Sequence, residues 1–354
     1  MEVPVSTGFV YDERCLSHDN GSMFLDATAR SWLDVPHYER PERLTRTFQV
    51  LERSGALDHL SRVPARAATE DGACQQRTHA AVGPEARVGP DSWESALVAV
   101  GGMLAALDAV VSGAVGNTYV LLRPPGHHAS ADQAMGFCLF NAVAVAARAA
   151  QRRHGFERIA IIDWDVHHGN GTEAIFYEDP SVLFISLHQD GLYPFGSGDV
   201  HRTGEGAGEG RTVNVPLPPG SGDDGDLHAF DRVVGPVLTS FRPHLVLVSA
   251  GQDPAASDPL RRMSVTAEGF RGLTARVKQV AQNACDGRLI LYQEGGYSLD
   301  HLPLCTLAIV EELAGIDATF AVDPTELDVP PSLGSGERAA VDTAAMALRD
   351  WWPV

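Results

Sequence analysis

The stretch Ile161-Ile162-Asp163-Trp164-Asp165-Val166-His167-His168-Gly169-Asn170 passes from an apolar run into alternating acids and imidazoles. Side chains of an extended strand alternate between faces, so Asp163, Asp165 and His167 share one side. Carboxylate oxygen and neutral imidazole nitrogen are ordinary ligands of divalent metals, and three on one edge can converge on a point. Taken alone, one Asp-x-Asp-x-His reads equally well as a strand end with solvated acids. Where the chain's other unusual residues fall separates the two readings.

Five apolar, β-like runs each end in such residues. Thr118 to Arg123 leads into Pro124-Pro125-Gly126-His127-His128, and Arg158 to Ile162 leads into the acid and imidazole segment. Val182 to Ser186 leads into Leu187-His188. His244 to Ser249 leads into Gly251-Gln252-Asp253 and on to Asp258, and Arg288 to Gln293 leads into Glu294-Gly295-Gly296-Tyr297. Continuous Val/Ile/Leu runs, several separated by helix-length segments, predict an α/β fold with a central, mostly parallel sheet flanked by helices. Helical apolar spacing over Trp93 to Val111 and Phe140 to Arg153 predicts two of the covering helices. Sites in such folds form outside the carboxyl ends of the strands, which would bring His127, His128, Asp165, His167, Asp258 and Tyr297 together.

The 354 residues, 44% hydrophobic, suffice for a single domain with a large core. Neither a repeat nor a linker interrupts them, and the Gly-, Asp- and Pro-rich stretch 203–226 reads as a loop with turns. The start Met1-Glu-Val-Pro-Val shows no secretory or membrane-anchor pattern, so a cytoplasmic protein without a membrane partner is expected. Cys15, Cys74, Cys138, Cys285 and Cys305 are odd in number and lack C-x-x-C spacing, which fits reduced thiols. A formal charge of −19 opposes nucleic-acid binding and weakly favours cationic substrates. The segment 324–354 ends in Ala-rich helical sequence and Trp351-Trp352, suited to capping the domain or to packing on another subunit, so an oligomer is possible.

The motifs ERPERL, RPPGHHA, GFCLFN, DWDVHHGNGT, SLHQ, NVPLPPG, AGQDP with DPL, and QEGGY follow one another along the chain. In this order they resemble the histone deacetylase superfamily, in particular its class II, bacterial-type deacetylases and amidohydrolases, over about residues 8 to 315. The resemblance implies an arginase/deacetylase-like single domain. It implies a catalytic zinc held by Asp165, His167 and Asp258, with Asp253 as an outer partner or helix cap, although the sequence alone does not choose between these two acids. Two carboxylates and one imidazole would also accept Fe2+ or Co2+.

By the same resemblance His127 and His128 are the acid and base, with Asp163 orienting His127 and Asn170 facing His128. Tyr297 would donate its hydroxyl to the oxyanion. Phe137 and Tyr193 would wall a slot for the acyl-bearing chain, with Gly136 permitting close approach. Potassium would be held by backbone oxygens of Asp163, Asp165, His167 and Leu187 and by the Ser186 hydroxyl.

The implied reaction is metal-dependent hydrolysis of an N-acyl amine. A small acylated amine, polyamines included, is the first expectation for the substrate. Acetyl-lysine in proteins or peptides is an alternative, and a catalytically silent binding protein is another of a different kind. Three features depart from the family. Gln252 stands where many members carry Phe, and the segment from Gln75 to Pro84 is shortened near the rim of the site. Val265 offers no charge partner near a position where some polyamine-acting members have an acid.

Overall fold

A computed structural model describes residues 6–23, 27–68, 80–320, 322–323 and 332–354. Its strands, in chain order, are β1 Thr7–Val10, β2 Leu60–Arg62, β3 Ala80–Gly83, β4 Ala86–Val88, β5 Asn117–Val120, β6 Ile159–Asp163, β7 Val182–Gln189, β8 Thr212–Leu217, β9 Leu245–Ala250 and β10 Leu289–Gln293. Eight of these form one sheet in the order β2-β1-β5-β10-β9-β6-β7-β8, and all its pairings are parallel. The five runs that end in unusual residues are β5, β10, β9, β6 and β7, five neighbours in the middle of the sheet. Every residue of β6, β7, β9 and β10 is buried, which is why these runs are continuously apolar rather than alternating.

Ser92–Val111 and Ala142–His154 form helices that pack on each other over the sheet. Asn141 starts the second, its side chain accepting from Ala144 N at 2.9 Å, and Gly155 at φ +70° ends it. Ser92–Val111 is long and apolar enough to cross a membrane, but 67% of its apolar window is buried in the fold, as in a core helix.

The stretch 203–226 is not all loop. It contains β8, an edge strand that tolerates Pro216 because an edge can leave one amide position unpaired. The helix Ser335–Leu348 packs against β8, and Trp352 Nε1 donates to Gly210 O at 2.7 Å, so this part of the C-terminal segment caps its own domain. Cys15, Cys138, Cys285 and Cys305 are free and buried, whereas Cys74 and residues 324–331 lie outside the described residues. Of the shortened segment, residues 75–79 also lie outside them; the rest enters the β3–β4 hairpin.

Candidate active site

Asp163 ends β6 in register with Ser186 of β7 and Ser249 of β9. Beyond it the chain curls over its own carboxylates. Asp165 N donates to Asp163 Oδ1 at 3.1 Å, and His167 N donates to Asp165 Oδ1 at 2.9 Å. The neighbouring strand tips lock onto this curl. After β9, Asp253 Oδ1 accepts from Val166 N at 2.8 Å; after β10, Gly295 N donates to Asp165 Oδ2 at 2.8 Å. A Cβ at position 295 would stand 2.2 Å from Asp253 Oδ2, so only glycine lets the two acids and this backbone meet.

Asp165, His167 and Asp253 consequently bring their ligand atoms within 4.8 Å of one another. His167 Nδ1 lies 2.9 Å from Asp165 Oδ1 and 3.0 Å from Asp253 Oδ2. One imidazole nitrogen carries at most one proton and can satisfy only one of these oxygens. Asp253 Oδ2 is buried with no hydrogen-bond donor, an expensive state for a carboxylate oxygen. A divalent cation in place of the shared proton would satisfy all three groups, and the donor set suits zinc or a similar ion.

The third acid differs from the sequence expectation. Asp258 is not in this group. Its Oδ1 accepts from Leu260 N at 2.9 Å, and its Oδ2 accepts from Tyr297 N at 2.5 Å and Ser298 N at 3.2 Å. The loop path from β9 puts Asp253 at the strand tip and spends Asp258 on tying down the turn that carries Tyr297.

His127 Nδ1 lies 3.0 Å from Asp163 Oδ2, and His128 Nδ1 lies 2.7 Å from Asn170 Oδ1. These different partners push the two imidazoles apart. Burial opposes a charge on His127, but Asp165 and Asp163 outweigh it and hold its pKa well above the usual value. Burial, then His127 and His167, push His128 well below. Burial and Asp165 raise Asp253 to about 7, and burial keeps the Tyr297 phenol protonated.

Gly136 at φ +53° and Phe137 at φ +68° turn the chain under the β3–β4 hairpin, where Gly136 N donates to Pro84 O and Phe137 N to Glu85 O. A left-handed phenylalanine is uncommon and here presents its ring to the site. The Phe137 ring meets Tyr297 edge-on at 5.8 Å, and the Tyr193 ring meets His128 at 5.2 Å. Together with His167, Leu192, Phe195 and Leu260 these residues line a cavity of about 330 Å³. Val265 is fully buried and does not line the cavity, whose lining includes the apolar Leu260 and the acidic Glu85. Ser186 lies beside Asp163, its hydroxyl 3.0 Å from His188 Nδ1, and Leu187 is buried next to it.

Three residues that brace the site were given no role from the sequence. Buried Glu294 accepts from Gly126 N at 2.5 Å and from His127 N at 3.3 Å. Arg43 lies 4.7 Å above the Tyr297 ring and donates to Glu294 O and Gly296 O at 2.5 Å each. Glu39 accepts from Arg43 Nη1 at 3.0 Å. Glu39 and Arg43 are four apart within ERPERL, the one local sign that they pair.

A histone deacetylase domain matches residues 68–313. A histone deacetylase-like amidohydrolase of Pseudomonas aeruginosa is 44% identical, over 88% of this chain and 86% of its own length. A probable deacetylase of Archaeoglobus fulgidus is 37% identical, over 90% and 89%. A crystal structure described as the HDA15 HD domain superposes with a TM-score of 0.86 at 32% identity, covering 99% of this chain and 96% of that one. With a domain match across most of its length and relatives of this similarity, the chain belongs to the histone deacetylase family, a family of deacetylases and amidohydrolases.

Proposed function

We propose that the protein is a metal-dependent amidohydrolase that removes an acyl group, acetyl in the simplest case, from a small N-acylated amine. The observation that carries this reading is the cavity that the rings of Phe137 and Tyr193 line together with His128, His167 and Tyr297. Aromatic walls suit a methylene chain and exclude water around the amide. Asp165, His167 and Asp253 would hold the metal, zinc by preference with Fe2+ or Co2+ as substitutes, and a potassium ion would sit near Asp163 and Ser186. When bound, a divalent ion supplies Lewis acidity to a carbonyl and lowers the pKa of water.

The remaining steps belong to side chains. Asn170 Oδ1 accepts the Nδ1 proton of His128, which leaves Nε2 free to take a proton from the attacking water. His127, charged against Asp163 and Asp165, adds positive potential where negative charge develops. The Tyr297 hydroxyl donates to the oxyanion as the carbonyl carbon becomes tetrahedral. Collapse breaks the C–N bond, the amine leaves with the proton from His128, and a carboxylate remains. A charge of −19 and the Glu85 carboxylate, which also lines the cavity, both favour a cationic amine.

The test is acetate release, with and without zinc, from small acylated amines, acetylpolyamines and an acetyl-lysine peptide. Tyr297→Phe should lower kcat by roughly a hundredfold to a thousandfold on the best substrate. Turnover confined to the peptide would replace the small-amine reading, and tight binding without turnover on any member would favour a silent binding protein.

A further inference from the structure

Gln252 is fully buried beside Asp253 and does not line the cavity. Its side chain closes a ring of three hydrogen bonds behind the site. Tyr119 Oη donates to Gln293 Oε1 at 2.7 Å, Gln293 Nε2 donates to Gln252 Oε1 at 2.5 Å, and Gln252 Nε2 donates back to Tyr119 Oη at 3.2 Å. Tyr119 and Gln252 are 0% exposed and Gln293 1%, so no bulk water can stand in for a lost member.

A ring of this kind can run in either sense, and one outside contact fixes the sense here. The second N–H of Gln293 Nε2 goes to Gly295 O at 2.7 Å, and the backbone N–H of Gln252 reaches the same oxygen at 3.0 Å. Reversing the ring would turn Gln293 Oε1 toward Gly295 O, acceptor against acceptor. Gly295 is also where the ring meets the site. Its N–H holds Asp165 Oδ2, and two residues later the chain presents Tyr297.

We propose that Gln252 and Gln293 are positioning residues that, together with Tyr119, fix the Gly295 peptide and through it the Asp165 carboxylate and the Tyr297 turn. Two buried amides in this place have a chemical use that an apolar core could not supply, namely a second donor to Gly295 O. Only the kinetic arm of the test below rests on the amidohydrolase reading.

The informative variant is the triple Tyr119→Phe/Gln252→Leu/Gln293→Leu. Removing the whole ring leaves none of its own groups unsatisfied, so its melting temperature should stay within about 5 °C of the parent. Gly295 O then keeps only its backbone donor. Amide hydrogen exchange over residues 294–298 should quicken roughly tenfold or more. On the best substrate kcat should fall roughly tenfold to a hundredfold, with KM within about twofold. A folded triple variant with parental exchange at 294–298 overturns the proposal, whether or not any substrate turns over; parental kcat in that variant overturns it as well. Absence of turnover in the parent protein would instead defeat the amidohydrolase reading and leave the exchange result to decide the positioning role. Should the triple variant fail to fold, Gln293→Met removes the side-chain donor to Gly295 O at similar volume and is judged by the same exchange measurement.

Discussion

Nδ1 of His128 lies 2.7 Å from Oδ1 of Asn170, so an amide rather than a carboxylate orients this imidazole. An amide oxygen accepts the Nδ1 proton without rewarding a second proton on the ring. His127 beside it faces two carboxylates instead, Asp163 at 3.0 Å and Asp165 at 3.7 Å. One of the adjacent imidazoles is thereby kept neutral and the other charged, a division of labour suited to acid–base chemistry.

Asn170→Asp should blur that division. A carboxylate against Nδ1 favours the imidazolium form and raises the His128 pKa, and a protonated His128 cannot take a proton from water. The acid limb of kcat/KM should therefore move up by about one to two pH units, with the largest loss of rate below neutrality. A pH–rate profile checks this, and an unmoved acid limb would remove His128 from the role of base.

Asp253 and Asp258 are separated by their present partners: the first leaves an oxygen without a donor, while the second is held by three backbone N–H groups. Asp253→Asn should weaken zinc binding by more than about a hundredfold in competition with a chelator, as expected of a lost ligand. Asp258→Asn should cost at most about ten- to a hundredfold in affinity while loosening the Tyr297 turn and lowering kcat. The reverse ranking would restore Asp258 as the third ligand.

This pair also shows where reading the sequence stops. The runs that became β5, β6, β7, β9 and β10 were legible because burial on both faces writes itself as unbroken Val, Ile and Leu. Their tips were legible because His127, Asp165, His167 and Tyr297 follow directly. Asp253 and Asp258 both precede proline only five residues apart, and which of them faces His167 depends on a loop path that spacing does not encode. β1 and β2 span only four and three residues, and β8 hides in a stretch rich in glycine and proline. The ring of Tyr119, Gln252 and Gln293 joins three strand ends far apart in sequence and has no local signature.

Glu39 is 1% exposed and accepts from Arg123 at 2.5 and 2.7 Å, from Arg43 at 3.0 Å and from Asn20 at 2.6 Å. Its charge is the counter-ion for two buried guanidinium groups, one of which lies over the Tyr297 ring. Glu39→Gln keeps the shape and removes the charge, leaving both cations uncompensated, at a cost of about 3–5 kcal/mol. Denaturant unfolding reads this directly. A midpoint unchanged from the parent would mean that the arginines find compensation elsewhere.

Asp226, in the helix Asp223–Ala229, is the opposite case, a buried carboxyl that the fold prefers uncharged. No donor reaches its Oδ2, and burial, then Asp223 and Glu337, raise its pKa to about 8. In the unfolded chain the same group titrates near its ordinary value of about 3.9. Its proton is bound more tightly by the folded form, so the associated stability is fully present below about pH 4 and is lost as pH rises through about 8. Asp226→Asn keeps the shape, cannot ionise, and should stabilise the protein at pH 8 by an amount on the order of a few kcal/mol, with little effect near pH 4. Melting temperatures of the parent and Asp226→Asn should therefore diverge with rising pH, the parent falling away; parallel curves would mean that the ionised carboxylate gains a donor or water that lowers its cost.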